Sequence, residues 1–203
     1  MSWRPHVRYI SKKVAKGIGI ILKARKVFNH ETLSSLYCTF IYPYLNYCIH
    51  VWGRAYNTHL NDLIVLQNKA IRIINGVPPR TNVKYLYIQH HILTMKQLYH
   101  YNLGLFMYKY SNGMLPEIFA DFFIKVEEIH SYNTRSSSAQ HLFIHPRRTT
   151  RGQKSCIYSG SLIWNFILNH LDPNCTIGLF KKQTKDIFVH SDEDLFKWMF
   201  LCT

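Results

Sequence analysis

The chain has 203 residues, with 25 Lys+Arg against 11 Asp+Glu, 12 His and a formal charge of +14. Hydrophobic residues make up 47% and charged residues only 18%, so the chain can bury a core and is not intrinsically disordered. So large a positive surplus on a folded chain favours polyanions, nucleic acid or an anionic membrane surface, because contact releases their counterions.

Charge is uneven along the chain. Residues 1–60 hold nine Lys/Arg and one acid, Glu31; residues 61–126 hold seven against three; residues 127–203 hold nine against seven. In the first segment Ile10, Val14, Ile18, Ile21 and Leu22 recur at helical spacing, while Lys12, Lys13, Lys16, Lys23, Arg25 and Lys26 fill much of the remainder. This pattern predicts a basic amphipathic helix of about four turns. Gly17 and Gly19 weaken it by about 1 kcal/mol each relative to Ala and imply close approach by another backbone.

Asn29 is placed to cap a second helix, with Glu31 in its first turn. Its stripe of Leu33, Leu36, Tyr37, Phe40 and Ile41 runs to Pro43 and resumes with Tyr44, Leu45 and Cys48, predicting two helical pieces meeting at a kink. Residues 32–53 contain no Asp, Glu, Lys or Arg and have the length of a bilayer span. Polar Ser34, Ser35, Thr39, Asn46 and His50, together with Pro43 and four tyrosines, make it a Pro-broken core segment rather than a membrane span.

After a loop, Asn57 or Thr58 is expected to cap a third helix with Leu60, Leu63, Ile64, Gln67, Ala70, Ile71 and Ile74 on its core face. Asn75-Gly76 ends it and Pro78-Pro79 prevents its resumption. Thr94 and Gln97 form a capping-box pair for a fourth helix through Leu98, Tyr101, Leu105 and Tyr108, stopped by Asn112-Gly113.

The pattern changes beyond Pro116. Residues 131–140 are polar and read as a loop or an internal boundary. Residues 141–145 and 155–158 are short enough for strands, with Pro146, Arg147, Arg148, Arg151 and Gly152 between them, which predicts a short β-hairpin with a basic tip. Residues 161–171 and 178–189 read as helices, and Ser191 followed by Asp192, Glu193 and Asp194 reads as the capped start of a last one. The expected fold is mainly α: a helical bundle over residues 1–126, then a small α+β segment over 127–203.

Chemistry is mostly missing. There is no Asp-Asp pair for two-metal catalysis, and the cluster Asp192 to Asp194 is explained by capping. Phosphate-binding glycine motifs, H-E-x-x-H and G-x-S-x-G are absent too. Adjacent His90 and His91 point about 100° apart on a helix and do not chelate from one face. Cys38, Cys48, Cys156, Cys175 and Cys202 are odd in number and irregularly spaced, against a disulfide scaffold or zinc finger. They are expected to be buried thiols in the reducing interior of a cell, nuclear or cytoplasmic. Residues 1–9 lack the apolar run of a signal peptide, so secretion is not expected.

The candidate sites are therefore basic. Lys12, Lys13 and Lys16, with Lys23, Arg25 and Lys26 further along, then Lys69 and Arg72 on the third helix, and Arg147, Arg148 and Arg151 at the hairpin, are placed to neutralise phosphates. Tyr9, Tyr42 and Trp52 are near enough in sequence to stack on bases, although aromatics at helical spacing ordinarily form core. No catalytic residue, metal ligand, cofactor or small-molecule substrate is expected.

Taken together the motifs resemble a known family. Trp3-x-x-His6 and the run from Ile10 through Ser11, Lys12, Lys13, Val14, Ala15, Lys16, Gly17, Ile18 and Gly19 to Ile20 are similar to the segment following the catalytic palm in reverse transcriptases of non-LTR (LINE-like) retrotransposons. So are Tyr42-Pro43-Tyr44-Leu45-Asn46-Tyr47-Cys48, Val51-Trp52-Gly53 and the stretch from Leu66 to Ile74. Later markers are Tyr108-Lys109-Tyr110, Leu115-Pro116, His130-Ser131-Tyr132-Asn133-Thr134-Arg135, Trp164-Asn165 and Phe180-Lys181-Lys182 with Lys185. Ile167-Leu168 departs from the family's Leu-Pro after Trp-Asn.

The resemblance implies a thumb and the region beyond it. The family's palm carries aromatic-x-Asp-Asp and a further Asp that bind Mg2+, and no position here matches them. It thus implies a catalytically inactive piece of an RNA-directed DNA polymerase, in which the first helix and the Gln67, Lys69, Arg72 helix hold template and primer. The first helix would pack on the absent palm, so exposed apolar surface is expected around Ile10, Val14 and Ile18. The alternative is a non-catalytic helical interaction or structural module, a non-functional remnant of an element, whose charge is merely solvated.

Overall fold

The computed structural model describes residues 3–129, 132, 134 and 140–191. By packing, the chain divides into two compact units, Met1–Tyr99 and His100–Thr203, whereas the change of sequence pattern beyond Pro116 puts the expected division at 126/127.

The first unit is helical throughout. α1 (Arg4–Ala24) is longer than the predicted four turns, beginning with Pro5 in its first turn, where a missing N–H costs nothing. Its Val7, Ile10, Val14, Gly17, Ile18 and Ile21 are buried. The predicted apolar surface at Ile10, Val14 and Ile18 is therefore corrected: these residues are 3%, 0% and 4% exposed. The chain covers them itself, because α1 packs chiefly on α5 (Asn57–Ile74) and also on α2 (His30–Phe40).

Asn29 caps α2 as expected, its Oδ1 accepting from Thr32 N at 3.0 Å and from Thr32 Oγ1 at 2.8 Å. The kink falls at Ile41, two residues before Pro43, with α3 (Tyr42–Asn46) beyond it. Proline has no N–H, and its ring collides with the carbonyl four residues back, so the break lies upstream of the ring itself. Cys48, in the left-handed region at φ 49°, separates α3 from α4 (Ile49–Trp52). The uncharged stretch is thus three short helices, and among the described residues no helix is long and apolar enough to cross a membrane.

α5 buries Leu60, Leu63, Gln67, Ala70, Ile71, Ile73 and Ile74. Its N-cap is Tyr56 without a side-chain bond, one residue ahead of the predicted Asn57 or Thr58. A short α6 (Lys84–Gln89), unforeseen in the sequence, follows the Pro78-Pro79 turn. The Thr94–Gln97 capping box starts α7 (Met95–Ser111): Thr94 N donates to Gln97 Oε1 at 2.9 Å, and Gln97 N to Thr94 Oγ1 at 3.4 Å.

Gln67 closes this unit. It is 1% exposed. Its Nε2 donates to Tyr37 Oη and to Leu93 O, both at 3.0 Å, and its Oε1 accepts from Met95 N at 2.9 Å. One amide thereby ties α2, α5 and the start of α7. Burial pushes the Tyr37 phenol up in pKa despite the Gln67 hydrogen bond. Nearby, the His30 and His90 rings lie 4.4 Å apart, and His90 Nε2 donates to Asn75 Oδ1 at 2.6 Å. Desolvation, then the neighbouring His30, holds the His90 pKa below its ordinary value.

In the second unit the predicted hairpin is not formed. Ser155 caps α10 (Cys156–Leu168), its Oγ accepting from Tyr158 N at 3.3 Å, so residues 155–158 begin a helix. A short apolar run cannot be told from a helix segment by periodicity, and here the cap decides. The first arm pairs elsewhere: Lys125 and Leu142 form an antiparallel bridge, with Val126 N bonded to His141 O at 3.0 Å and Phe143 N to Ile124 O at 2.8 Å. On its other edge, Leu142 N and O are held by Asn165 Oδ1 and Nδ2 at 2.8 and 2.9 Å. Around this lie a 3-10 turn (Glu117–Phe122), α8 (Val126–Ile129), α9 (Thr150–Gln153) and α11 (Ile177–His190). Tyr108 binds α11, its ring 4.3 Å from Phe180 and its hydroxyl donating to Cys175 O at 2.6 Å. Asp192 to Asp194, Cys202, Arg135 and most of the predicted 131–140 loop lie outside the described residues.

Three measurements test this packing. Gln67→Leu strands a buried N–H and carbonyl, so stability should fall by about 3 kcal/mol, read as a lower urea midpoint at unchanged slope. Gly17 and Gly19 should respond oppositely to Ala. A Cβ at Gly17 would lie 2.9 Å from Phe40 O, whereas none at Gly19 meets anything within 4 Å. Gly17→Ala should lower the melting temperature; Gly19→Ala should raise it, by about 1 kcal/mol of stability. Below about pH 6.5 the unfolded chain binds a proton that folded His90 resists, so stability should drop on acidification. His50, held low by burial, acts in the same sense. His90→Asn should flatten that profile, and a wild-type profile already flat from neutral pH downward would refute it.

Candidate nucleic-acid interface

The fold sorts the predicted cations into three groups. On α1, opposite the buried stripe, Arg4, Arg8, Lys12 and Lys16 follow one another at i, i+4, and Lys23 returns to the same side. All five are exposed. Each i, i+4 step climbs about 6 Å, so the helix carries a ridge of positive charge along most of its length. Ala15 and Gly19 lie between these side chains on that face, with Pro5 and Leu22 also in its arc, and the space beside Gly19 is open. Arg4 and Arg8 were not among the sequence candidates, although their i, i+4 spacing to Lys12 is the signal that finds them.

Lys13 turns off the ridge. It is half-buried, with Nζ 5.4 Å from the centroid of the Tyr9 ring. Arg25 and Lys26 are exposed at the C-terminal end of α1, where cations also favour the helix dipole.

α5 contributes less than its sequence implied. Gln67 faces the core, and Arg72 is half-buried with Nε donating to Thr81 O at 2.9 Å, fastening the Pro78-Pro79 turn. Lys69 is exposed on α5 and is not part of the i, i+4 row on α1. In the second unit Arg147, Arg148 and Arg151 are exposed on a loop and the α9 turn rather than on a hairpin tip. Thr149 Oγ1 accepts from Gly152 N at 3.1 Å, and Arg147 O accepts from Gln153 Nε2 at 3.2 Å, fixing that loop.

Electrostatically the two units differ. Residues 1–99 hold fourteen Lys/Arg against two acids, Glu31 and Asp62; residues 100–203 hold eleven against nine. Nearly all the net charge therefore belongs to the unit that carries α1. The aromatic candidates also separate. Trp52 is 1% exposed, with Nε1 bonded to Tyr47 O at 2.9 Å and its ring edge-on to His6, so it is core. Tyr42 is half-buried, its phenol pushed up by burial. Tyr9 is 55% exposed.

No catalytic constellation is assembled among the described residues. No group of three His, Cys, Asp or Glu is placed to hold a metal ion. Cys38 and Cys48 are exposed, which corrects the expectation of buried thiols, and Cys156 is pushed up to about 11 by burial, protonated at neutral pH. The second unit has a cleft of about 530 Å³ lined in part by Tyr110, Glu117, Lys125 and Trp164. Two of its ionisable groups are engaged structurally: Lys125 pairs with Glu127 at 3.2 Å, and Tyr110 Oη lies 2.8 and 3.0 Å from the Ala120 and Phe123 carbonyls.

No family model matches the chain, and no solved structure matches it. It is 40% identical over 58 residues to the RNA-directed DNA polymerase from mobile element jockey of Drosophila funebris. That stretch is 29% of this chain and 6% of the polymerase, so the chain matches a small part of that much longer protein. Over that length the likeness supports a reverse-transcriptase-like relationship.

Proposed function

We propose that this chain corresponds to the thumb and following region of a retrotransposon reverse transcriptase, and that its role is to hold nucleic acid rather than to polymerise it. The observation that carries this reading is the α1 ridge: Arg4, Arg8, Lys12, Lys16 and Lys23 exposed along one helix, in a unit with two acids. Such a row meets successive phosphates without reading bases, so binding would be sequence-independent and strongly salt-dependent. The partial likeness to an RNA-directed DNA polymerase supplies the partner class, a template and primer. In an intact polymerase of that kind the metal, Mg2+, would be held by palm aspartates with no counterpart among these residues. The palm would then be the partner protein.

The ridge makes a quantitative prediction. With the full chain and a labelled primer–template, log affinity should fall linearly with log salt, and Lys12→Gln with Lys16→Gln should reduce the slope by about 0.9 for each duplex phosphate that is no longer neutralised. Lys69→Gln should leave the slope nearly unchanged. Absence of binding at low salt, or indifference to the double substitution, contradicts the phosphate-holding role and favours a structural module. Incorporation of dNTPs by the purified chain with Mg2+ would contradict its catalytic inactivity.

A further inference from the structure

We infer that the surface flanking the ridge selects single-stranded nucleic acid, with Tyr9, Phe40 and Tyr44 as platforms for unpaired bases; this rests on the phosphate-holding reading of α1. At about 100° per residue, Tyr9 and Ile20 occupy the flank next to Lys16, and Lys13 and then Gly17 lie further round. Gly17 is the seam where α1 meets the α2–α3 bend, since its missing Cβ leaves room for Phe40 O and Ile41 Cγ1. The bend therefore abuts the same flank. From it, Phe40 and Tyr44 emerge 38% and 36% exposed, while Tyr37, Ile41 and Leu45 supply the core packing.

Tyr9 is thus mostly open to solvent, and Phe40 and Tyr44 each leave about a third of their surface open. Tyr9 is also oriented: the Lys13 ammonium lies over its ring, placing a cation for a phosphate beside a surface for a base. A duplex keeps its bases stacked on one another and offers this surface only phosphates. A single strand offers phosphates to the ridge and open base faces to the rings, and each aromatic stack strengthens binding independently of sequence.

The test uses the full chain with fluorescein-labelled oligo(dT) and a duplex of equal length at low salt. Oligo(dT) should bind about tenfold tighter than duplex, and Tyr9→Ala should weaken oligo(dT) about tenfold while leaving duplex affinity and the salt slope unchanged. Tyr9→Phe should bind as wild type, because stacking needs the ring and not the hydroxyl. Tyr44→Ala provides a second exposed probe with the same expected direction. Equal affinity for the two nucleic acids, with Tyr9→Ala indifferent, overturns the inference and leaves the phosphate-holding role intact. Failure to bind either one overturns that role as well. Binding to phosphatidylserine vesicles that oligo(dT) does not displace would assign the flank to a membrane surface instead.

Discussion

The first unit depends on one buried amide. Gln67 meets Tyr37, Leu93 and Met95 with both its donor and its acceptor, in a place from which water is excluded. Each of those bonds is modest in net terms, but each is costly to leave unmade, so the amide acts by excluding alternatives. A slip of α2 or of the α7 start along α5 would strand buried polar atoms. That fixes the seat against which α1 packs, and hence the direction in which α1 turns its charged side. A neutral group in the interior thereby orients a positive surface outside.

Gly17 complements this from the other side of α1. The helix axis can approach Phe40 O only where no Cβ intervenes, and this approach brings the α2–α3 bend beside the ridge. Gly19, two residues on, faces open space and contributes nothing to packing. On the charged face its lack of a side chain leaves the ridge unobstructed between Lys16 and Lys23. Two glycines with the same residue type thus serve opposite faces of one helix.

Much of the fold was legible because local chemistry dictated it. Asn29, the Thr94–Gln97 box and Asn75-Gly76 marked helix ends through bonds or left-handed conformations that few residues supply. What depended on long-range partners was not legible. Residues 155–158 are short enough for a strand, yet the Ser155 cap and the hold of Asn165 on Leu142 settle them otherwise. Short α6 lacks any pattern long enough to read. Among site residues, Lys12, Lys16 and Lys23 were legible from helical spacing and Gln67 from its place on the core face of α5, but the bonds of Gln67 to Tyr37 and Leu93, 30 and 26 residues away, and of Arg72 to Thr81 were not. Exposed Ile10, Val14 and Ile18 were expected from an imagined missing partner, whereas α5 and α2 provide the cover.

The placement of the cations bears on whether the ridge is more than a solvated face. Arg4 sits in the first turn of α1, which has no acidic residue there and no side-chain cap at Trp3. A cation at that end opposes the helix dipole, and like charges at i, i+4, as in Arg4–Arg8, Arg8–Lys12 and Lys12–Lys16, repel by about 0.2–0.5 kcal/mol per pair. Local stability would be served by Asp or Glu in these positions, as Glu31 serves α2. Burial of the opposite stripe, six residues from Val7 to Ile21, is large enough to offset the repulsion and hold the helix regardless. An anionic partner along the exposed side would relieve both the dipole conflict and the repulsion, which is why the ridge favours the nucleic-acid reading over a charge that merely keeps the chain in solution.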